Sequence, residues 1–158
     1  RPDNPHLHYQ ALAGAEVCAT ARPGHALLAP GAADLRQLAQ ARWIVPPEGS
    51  VLRHRFELMF RAAGLHPPRH VIATAALVFM TKMLEESDYV AVVPVDVARH
   101  YAAHGVVAIL PLQLSCRMDS FGIITRTDWL LSPGARTVLQ ALQEAAAAVY
   151  GTPPTTQA

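Results

Sequence analysis

A chain of 158 residues suits one ordinary domain or two small lobes, and it is long enough to bury a core. With 51% hydrophobic and 16% charged residues, it falls outside the range of chains left disordered by low hydrophobicity and high charge. The formal net charge is +1 and the basic residues are scattered arginines with Lys82 the sole lysine, so no stripe suited to a phosphate backbone forms and nucleic acid is not expected to bind here.

Residues 1–14 carry no periodicity and read as a connector. Glu16–Ala21 reads as a strand ended by the turn Arg22-Pro23-Gly24. Asp34 caps a short helix through Ala39, and Trp43-Ile44-Val45 is a strand stopped by Pro46-Pro47. Ser50 then precedes an apolar stripe of Val51, Leu52, Phe56, Met59, Phe60 and Ala63, with Gly64 closing the amphipathic helix. A strand follows at His70–Ala73. Thr74 is expected to cap a second helix through about Glu86, and Tyr89–Val93 is an unbroken apolar strand of the kind covered on both faces. Asp96 and Val97 open a third helix ending near His104-Gly105, and Val106–Leu110 is a further strand. Ser120–Thr125 is another. Ser132-Pro133 starts a last helix through Val149 whose Val138, Leu139, Leu142, Ala145, Ala146 and Val149 need a partner. The tail from residue 151 has a disordered composition.

From Trp43 to Leu110 the order β-α-β-α-β-α-β predicts a parallel sheet between helices with right-handed crossovers, an α/β fold. In such a sheet, ligands sit at the carboxyl ends of the strands. Three segments meet there. Pro47-Glu48-Gly49-Ser50 leaves a strand and opens a helix with free N–H groups and a hydroxyl, Thr74-Ala75 repeats the arrangement, and Val93-Pro94-Val95-Asp96 repeats it again. The plainer reading makes Ser50 and Thr74 helix caps and nothing more. Arg53 either pairs with an anionic ligand or with Glu57 one turn on. Phe121, Ile123 and Thr125 either line a cleft or pack a core.

Other chemistry is poorly supported. The eight histidines include His6 with His8 and His100 with His104, but no HExxH or matching acid or cysteine accompanies them, so no metal site is expected. No nucleophile elbow, phosphate loop or dinucleotide fingerprint is present, so neither an enzyme nor a cofactor is expected. Cys18 and Cys116 lack CxxC spacing, which argues against a disulfide scaffold and fits the cytoplasm. No apolar run reaches the ~18 residues of a membrane span. The chain opens at Arg1 with no signal-peptide pattern and reads as part of a longer protein.

Taken in order, Arg22-Pro23-Gly24-His25-Ala26-Leu27, Trp43 through Arg53, Phe60–Leu65, Leu84–Asp88, Val92-Val93-Pro94 and Ser132–Ala135 resemble the effector-binding domain of LysR-type bacterial transcription regulators. The resemblance runs from about residue 15 to residue 149. It implies a type 2 periplasmic-binding-protein-like fold, with two α/β lobes joined by crossing strands and a small effector in the cleft between them. Residues 1–25 are then a partial first lobe and first crossing strand, and residues 26–113 the second lobe. Residues 114–150 are the return crossing and the C-terminal helix of an incomplete first lobe, and residues 151–158 a tail. Many members carry Gly-x-Gly where this chain has Glu86-Ser87-Asp88, which is similar to a subgroup tied to sugar or aromatic-acid catabolism.

The expected function is effector sensing, with a small, anionic metabolite met by Pro47, Gly49, Ser50, Arg53, Thr74, Ala75, Val93, Pro94 and Phe121. The resemblance further implies a homodimer or higher oligomer, and DNA contact through an N-terminal winged helix-turn-helix that these residues do not include. A solute-binding protein of the same fold and a small α/β enzyme are the alternatives.

Overall fold

The computed structural model describes residues 4–14, 16–116, 118 and 120–150. The tail predicted from residue 151 onward lies outside the described residues. The chain divides into two compact units, one formed by the described residues within Glu16–Met118 and the other by those within Arg1–Ala15 and Asp119–Ala158.

The larger unit holds strands β2 (Val17–Ala21), β3 (Arg42–Val45), β4 (Val71–Ala73), β5 (Tyr89–Pro94) and β6 (Ala108–Ile109), and helices α1 (Leu35–Gln40), α2 (Val51–Ala62), α3 (Leu77–Glu85) and α4 (Val95–Ala103). In the same numbering, the smaller unit holds β1 (Leu7–Ala13), β7 (Phe121–Arg126) and α5 (Pro133–Tyr150).

The five strands of the larger unit are ordered β4-β3-β5-β2-β6. Strand β3 runs parallel to both β4 and β5, as the helical crossovers require. The sheet is nevertheless mixed. Strand β2 is inserted antiparallel between β5 and β6, pairing Val17 with Pro94 and Thr20 with Ile109. The unbroken parallel block expected from Trp43 to Leu110 is therefore interrupted, and its last strand shortens to Ala108–Ile109. The reason lies in burial: all five residues of β2 are buried, so this strand belongs in a sheet interior.

Alternation along the strands sorts the core into two layers. Val17, Ala19, Trp43, Val45, Val90 and Val92 face one side with Leu38 of α1 and Phe56, Met59 and Phe60 of α2. Cys18, Ile44, Ala91 and Val93 face the other with Leu84 of α3 and Ala98 of α4. Trp43, Phe56 and Phe60 stack edge to face with centroids 4.7, 5.1 and 6.4 Å apart. Each such ring contributes roughly 1.5–3 kcal/mol by burial. The Trp43 indole donates to the Leu38 carbonyl at 2.7 Å, so its one polar atom is satisfied. Val51 and Ala63, expected in the α2 stripe, are exposed.

The Arg22–Leu27 segment acts as a latch. Arg22 grips Asp88 through Nε at 3.0 Å and Nη2 at 2.8 Å. His25 is buried; its Nδ1 accepts from the Leu27 amide at 3.1 Å and its Nε2 lies 3.3 Å from the Asp88 carbonyl oxygen. The end of β2 is thus tied to the start of β5.

In the smaller unit, β1 and β7 form a two-stranded antiparallel sheet, with Tyr9 opposite Ile124 and Gln10 opposite Ile123. The connector expected over residues 1–14 is therefore a strand across most of its described length. Its alternation of Leu7, Tyr9 and Ala11 with His8 and Gln10 is the period of a half-buried strand, diluted by two histidines and a glutamine. Gly122 permits the pairing, because a Cβ there would lie 2.1 Å from the Gln10 carbonyl oxygen. Helix α5 starts as expected, the Ser132 hydroxyl accepting from the Ala135 amide at 3.2 Å. It packs on β1, where Gln143 donates to the Gln10 side chain at 2.9 Å.

Candidate functional site

Parallel strands β3, β4 and β5 each end at one edge of the sheet and lead into α2, α3 and α4, so three helix N-termini gather there. Between them lies a cavity of about 240 Å³. It is bordered by Pro46, Leu52, the Thr74–Leu77 segment, Val93, Pro94 and Val97. Four of the sequence-predicted residues, Thr74, Ala75, Val93 and Pro94, are therefore brought together in one recess.

A second, more polar recess of about 680 Å³ is lined by the Glu48–Val51 turn, Arg53, His54, Arg55 and Glu57. Gly49 adopts φ +83° in this turn, which the Ser50 amide closes onto the Pro47 carbonyl at 3.3 Å. The first turn of α2 borders both recesses, with Leu52 on the apolar one and Ser50, Val51 and Arg53 on the polar one. Pro47 is exposed and lines neither. Phe121 belongs to β7 in the other unit, where it is exposed and packs its ring 5.4 Å from that of Tyr150.

Each helix start has its own character. Ser50 caps α2, its hydroxyl accepting from the Arg53 amide at 3.2 Å. Thr74 does not cap α3, which is a correction to the sequence reading. The Thr74 amide still extends the strand by donating to the Val45 carbonyl at 2.9 Å, and its hydroxyl accepts from Ala76 two residues on at 3.1 Å. That local turn consumes the side chain before the helix begins. The N-cap is Ala76, which has no side-chain bond to offer, so the α3 terminus keeps its unpaired donors. Helix α4 carries Asp96 in its first turn and so holds a negative charge of its own against the helix dipole.

Both expectations for Arg53 concern one charged cluster. Arg53 Nε binds Glu57 at 2.5 Å and Arg61 binds the other carboxylate oxygen at 3.0 Å, so two cations share one anion. The Arg53 side chain is 11% exposed and its Nη1 is buried without a hydrogen-bond partner. A buried donor left open in this way is ready for an acceptor.

The remaining sequence candidates fall elsewhere. His100 and His104 are exposed with rings 4.8 Å apart, and His104 Nδ1 lies 2.7 Å from the His100 carbonyl oxygen. Cys18 and Cys116 are both buried and free, but they join core clusters on opposite faces of the sheet rather than approaching each other. Burial pushes the Cys18 thiol up to about 11, against a smaller lowering by Arg99, and also raises that of Cys116 against Arg55. Both are poor nucleophiles near neutrality. Among the described residues, no helix is long and apolar enough to cross a membrane.

Residues the sequence reading passed over include Leu52, Leu77, Met80 and Val97, which wall the apolar recess. A usable signal was present for three of them: Leu52, Leu77 and Val97 fall in the first turn of a helix that follows a strand.

The chain matches the model of the LysR substrate binding domain over residues 1–147. It is 41% identical over 141 residues to the HTH-type transcriptional regulator GbpR of Azospirillum brasilense, covering 87% of this chain and 40% of that protein. It is 32% identical over 133 residues to the HTH-type transcriptional regulator GalR of Pseudomonas putida, covering 84% and 33% respectively. The chain thus spans well under half the length of these relatives. Among solved structures, the regulatory domain of CcmR from Synechocystis PCC6803 in complex with 2-PG superposes with a TM-score of 0.74 at 16% identity, over 95% of this chain and 72% of that one. The effector-binding domain of QuiR in complex with shikimate superposes with a TM-score of 0.70 at 16% identity, over 95% and 70%.

Proposed function

The chain belongs to the LysR substrate-binding domain family, and from that premise we propose that it senses a small anionic metabolite for a transcriptional regulator. The observation that carries this reading is the gathering of three helix N-termini around one cavity at the carboxyl edge of β3, β4 and β5. Of the three, α2 and α3 favour an anion, since α4 already holds Asp96. Ser50 and Thr74 each spend one lone pair on a backbone amide and keep a proton to donate. Arg53 adds the buried, unpaired Nη1. Each of these groups suits a carboxylate or phosphate, Thr74 at the apolar recess and Ser50 and Arg53 at the polar one.

Sensing then works by population shift. A ligand biases the arrangement it binds more tightly, and only by the difference in affinity between arrangements. The relatives are HTH-type regulators, which supports DNA contact through a separate helix-turn-helix segment and action in the cytoplasm. Those relatives are transcriptional regulators rather than enzymes.

The test compares melting shifts of the protein and its Ser50→Ala variant across carboxylate and phosphate ligands. Loss of the cap costs about 1 kcal/mol of stability without ligand. A ligand at 100 times its Kd adds about 2.7 kcal/mol. The expected result is that the variant melts slightly lower but loses most of its ligand-induced shift. An undiminished shift returns Ser50 to plain capping and counts against the reading.

A further inference from the structure

The lining of the apolar recess narrows the class of effector, an inference that rests on reading this edge as the effector site. Its walls are Val45, Leu52, Leu77, Met80, Val93 and Val97, and among the described residues Thr74 is the one polar side chain that lines it. The Thr74 hydroxyl accepts from Ala76 at 3.1 Å, so what it offers a ligand is a proton and one remaining lone pair. The α3 terminus beside it has no side-chain cap and offers N–H groups as well. These polar groups mostly donate, and among the lining side chains the second lone pair of the Thr74 hydroxyl is the one strong acceptor left for a ligand hydroxyl.

Such a recess discriminates by what it leaves unpaired. A polyhydroxylated acid entering it buries hydroxyl protons against aliphatic walls, and each one left without an acceptor lowers affinity roughly tenfold or more. A ring of carbon atoms meets the same walls without that loss. Size agrees, since a cavity of ~150 Å³ holds benzene and this one measures about 240 Å³. We propose that the effector is a compact ring acid, an aromatic or alicyclic carboxylate whose apolar body fills this recess and whose carboxylate meets Thr74 and the start of α3. Val97 then determines specificity through its lack of polar atoms, and Met80 through a thioether that accepts hydrogen bonds only weakly.

Calorimetric titration of the protein with benzoate, cyclohexanecarboxylate and gluconate tests this, alongside the Thr74→Val and Val97→Thr variants. Both variants nearly conserve volume, and a melting curve on each establishes that it folds; Met80→Gln replaces Val97→Thr if that one does not. The expected result is that both ring acids bind at least about tenfold tighter than gluconate. Thr74→Val weakens every acid, whereas Val97→Thr weakens the ring acids and narrows their lead over gluconate. Gluconate binding more tightly than the ring acids, with the binding lost in Thr74→Val, overturns the ring-acid inference and leaves the site in place. Binding of no probe, or binding indifferent to both variants, overturns the reading of this edge and the inference with it.

Discussion

Asp88 shows how one residue acquires a structural task from its surroundings. It stands in the segment Glu86-Ser87-Asp88, just ahead of β5. Its carboxylate ties Arg22 at the end of β2 to the start of β5. The hydrogen bonds and charge of Arg22 hold the Asp88 carboxyl below its ordinary value of 3.8, with smaller help from His25 and Arg42. A lowered native pKa stabilises the fold above the unfolded pKa, and that contribution is lost as pH falls through the native value. Asp88→Asn is therefore expected to lower stability slightly at pH 7, the pair being exposed and screened, and to match the parent protein well below about pH 4, so that its acid limb is flatter. Urea unfolding of both proteins across pH 3–7 measures it. Equal acid sensitivity would show that ionisation of Asp88 contributes nothing to the latch.

At the scale of elements, α3 departs most from ordinary helix construction. A helix without a side-chain cap forgoes about 1 kcal/mol, and here the uncapped terminus borders the apolar recess. Ala76→Asp supplies both a cap and a charge. It is expected to raise thermal stability by about 0.5–1 kcal/mol and to weaken carboxylate binding at least about tenfold, by placing a fixed anion where the ligand's would sit. Melting curves with and without ligand separate the two effects; a stabilised variant with unchanged affinity would place the carboxylate elsewhere. The start of α3 was also where the sequence misled. Thr74 has the residue type of a cap and lies just past a strand, but its preference for a local turn two residues ahead is the same chemistry and cannot be told from capping by type alone. Ser50 was legible because the apolar period of α2 begins immediately after it. The place of β2 was not, since an apolar pentapeptide states that it is buried without stating between which strands. The remaining walls of the recess were hidden for a related reason: Ile44 and Met80 look like core, and the gap they border exists only once three helices have been placed.

For the molecule as a whole, the two units differ in how far their apolar residues are covered. The larger unit closes both faces of its sheet with helices, and its core residues are nearly all below a tenth exposed. The smaller unit rests on one helix and two strands, and an isolated two-stranded ribbon is marginal in water. Its helix α5 buries Ala146 but leaves Val138 59%, Leu142 47% and Val149 65% exposed, and Trp129 and Leu130 stand at 71% and 96%. Surface of this kind favours association over solvation. The 158-residue chain is therefore expected to self-associate, its weight-average mass rising with concentration through the micromolar range in sedimentation velocity. Val138→Lys with Leu142→Gln is expected to shift it toward the monomer. The larger unit's melting transition should stay where it was, because neither residue belongs to its core. A monomer at every concentration, before any substitution, would show that these side chains are solvated as they stand.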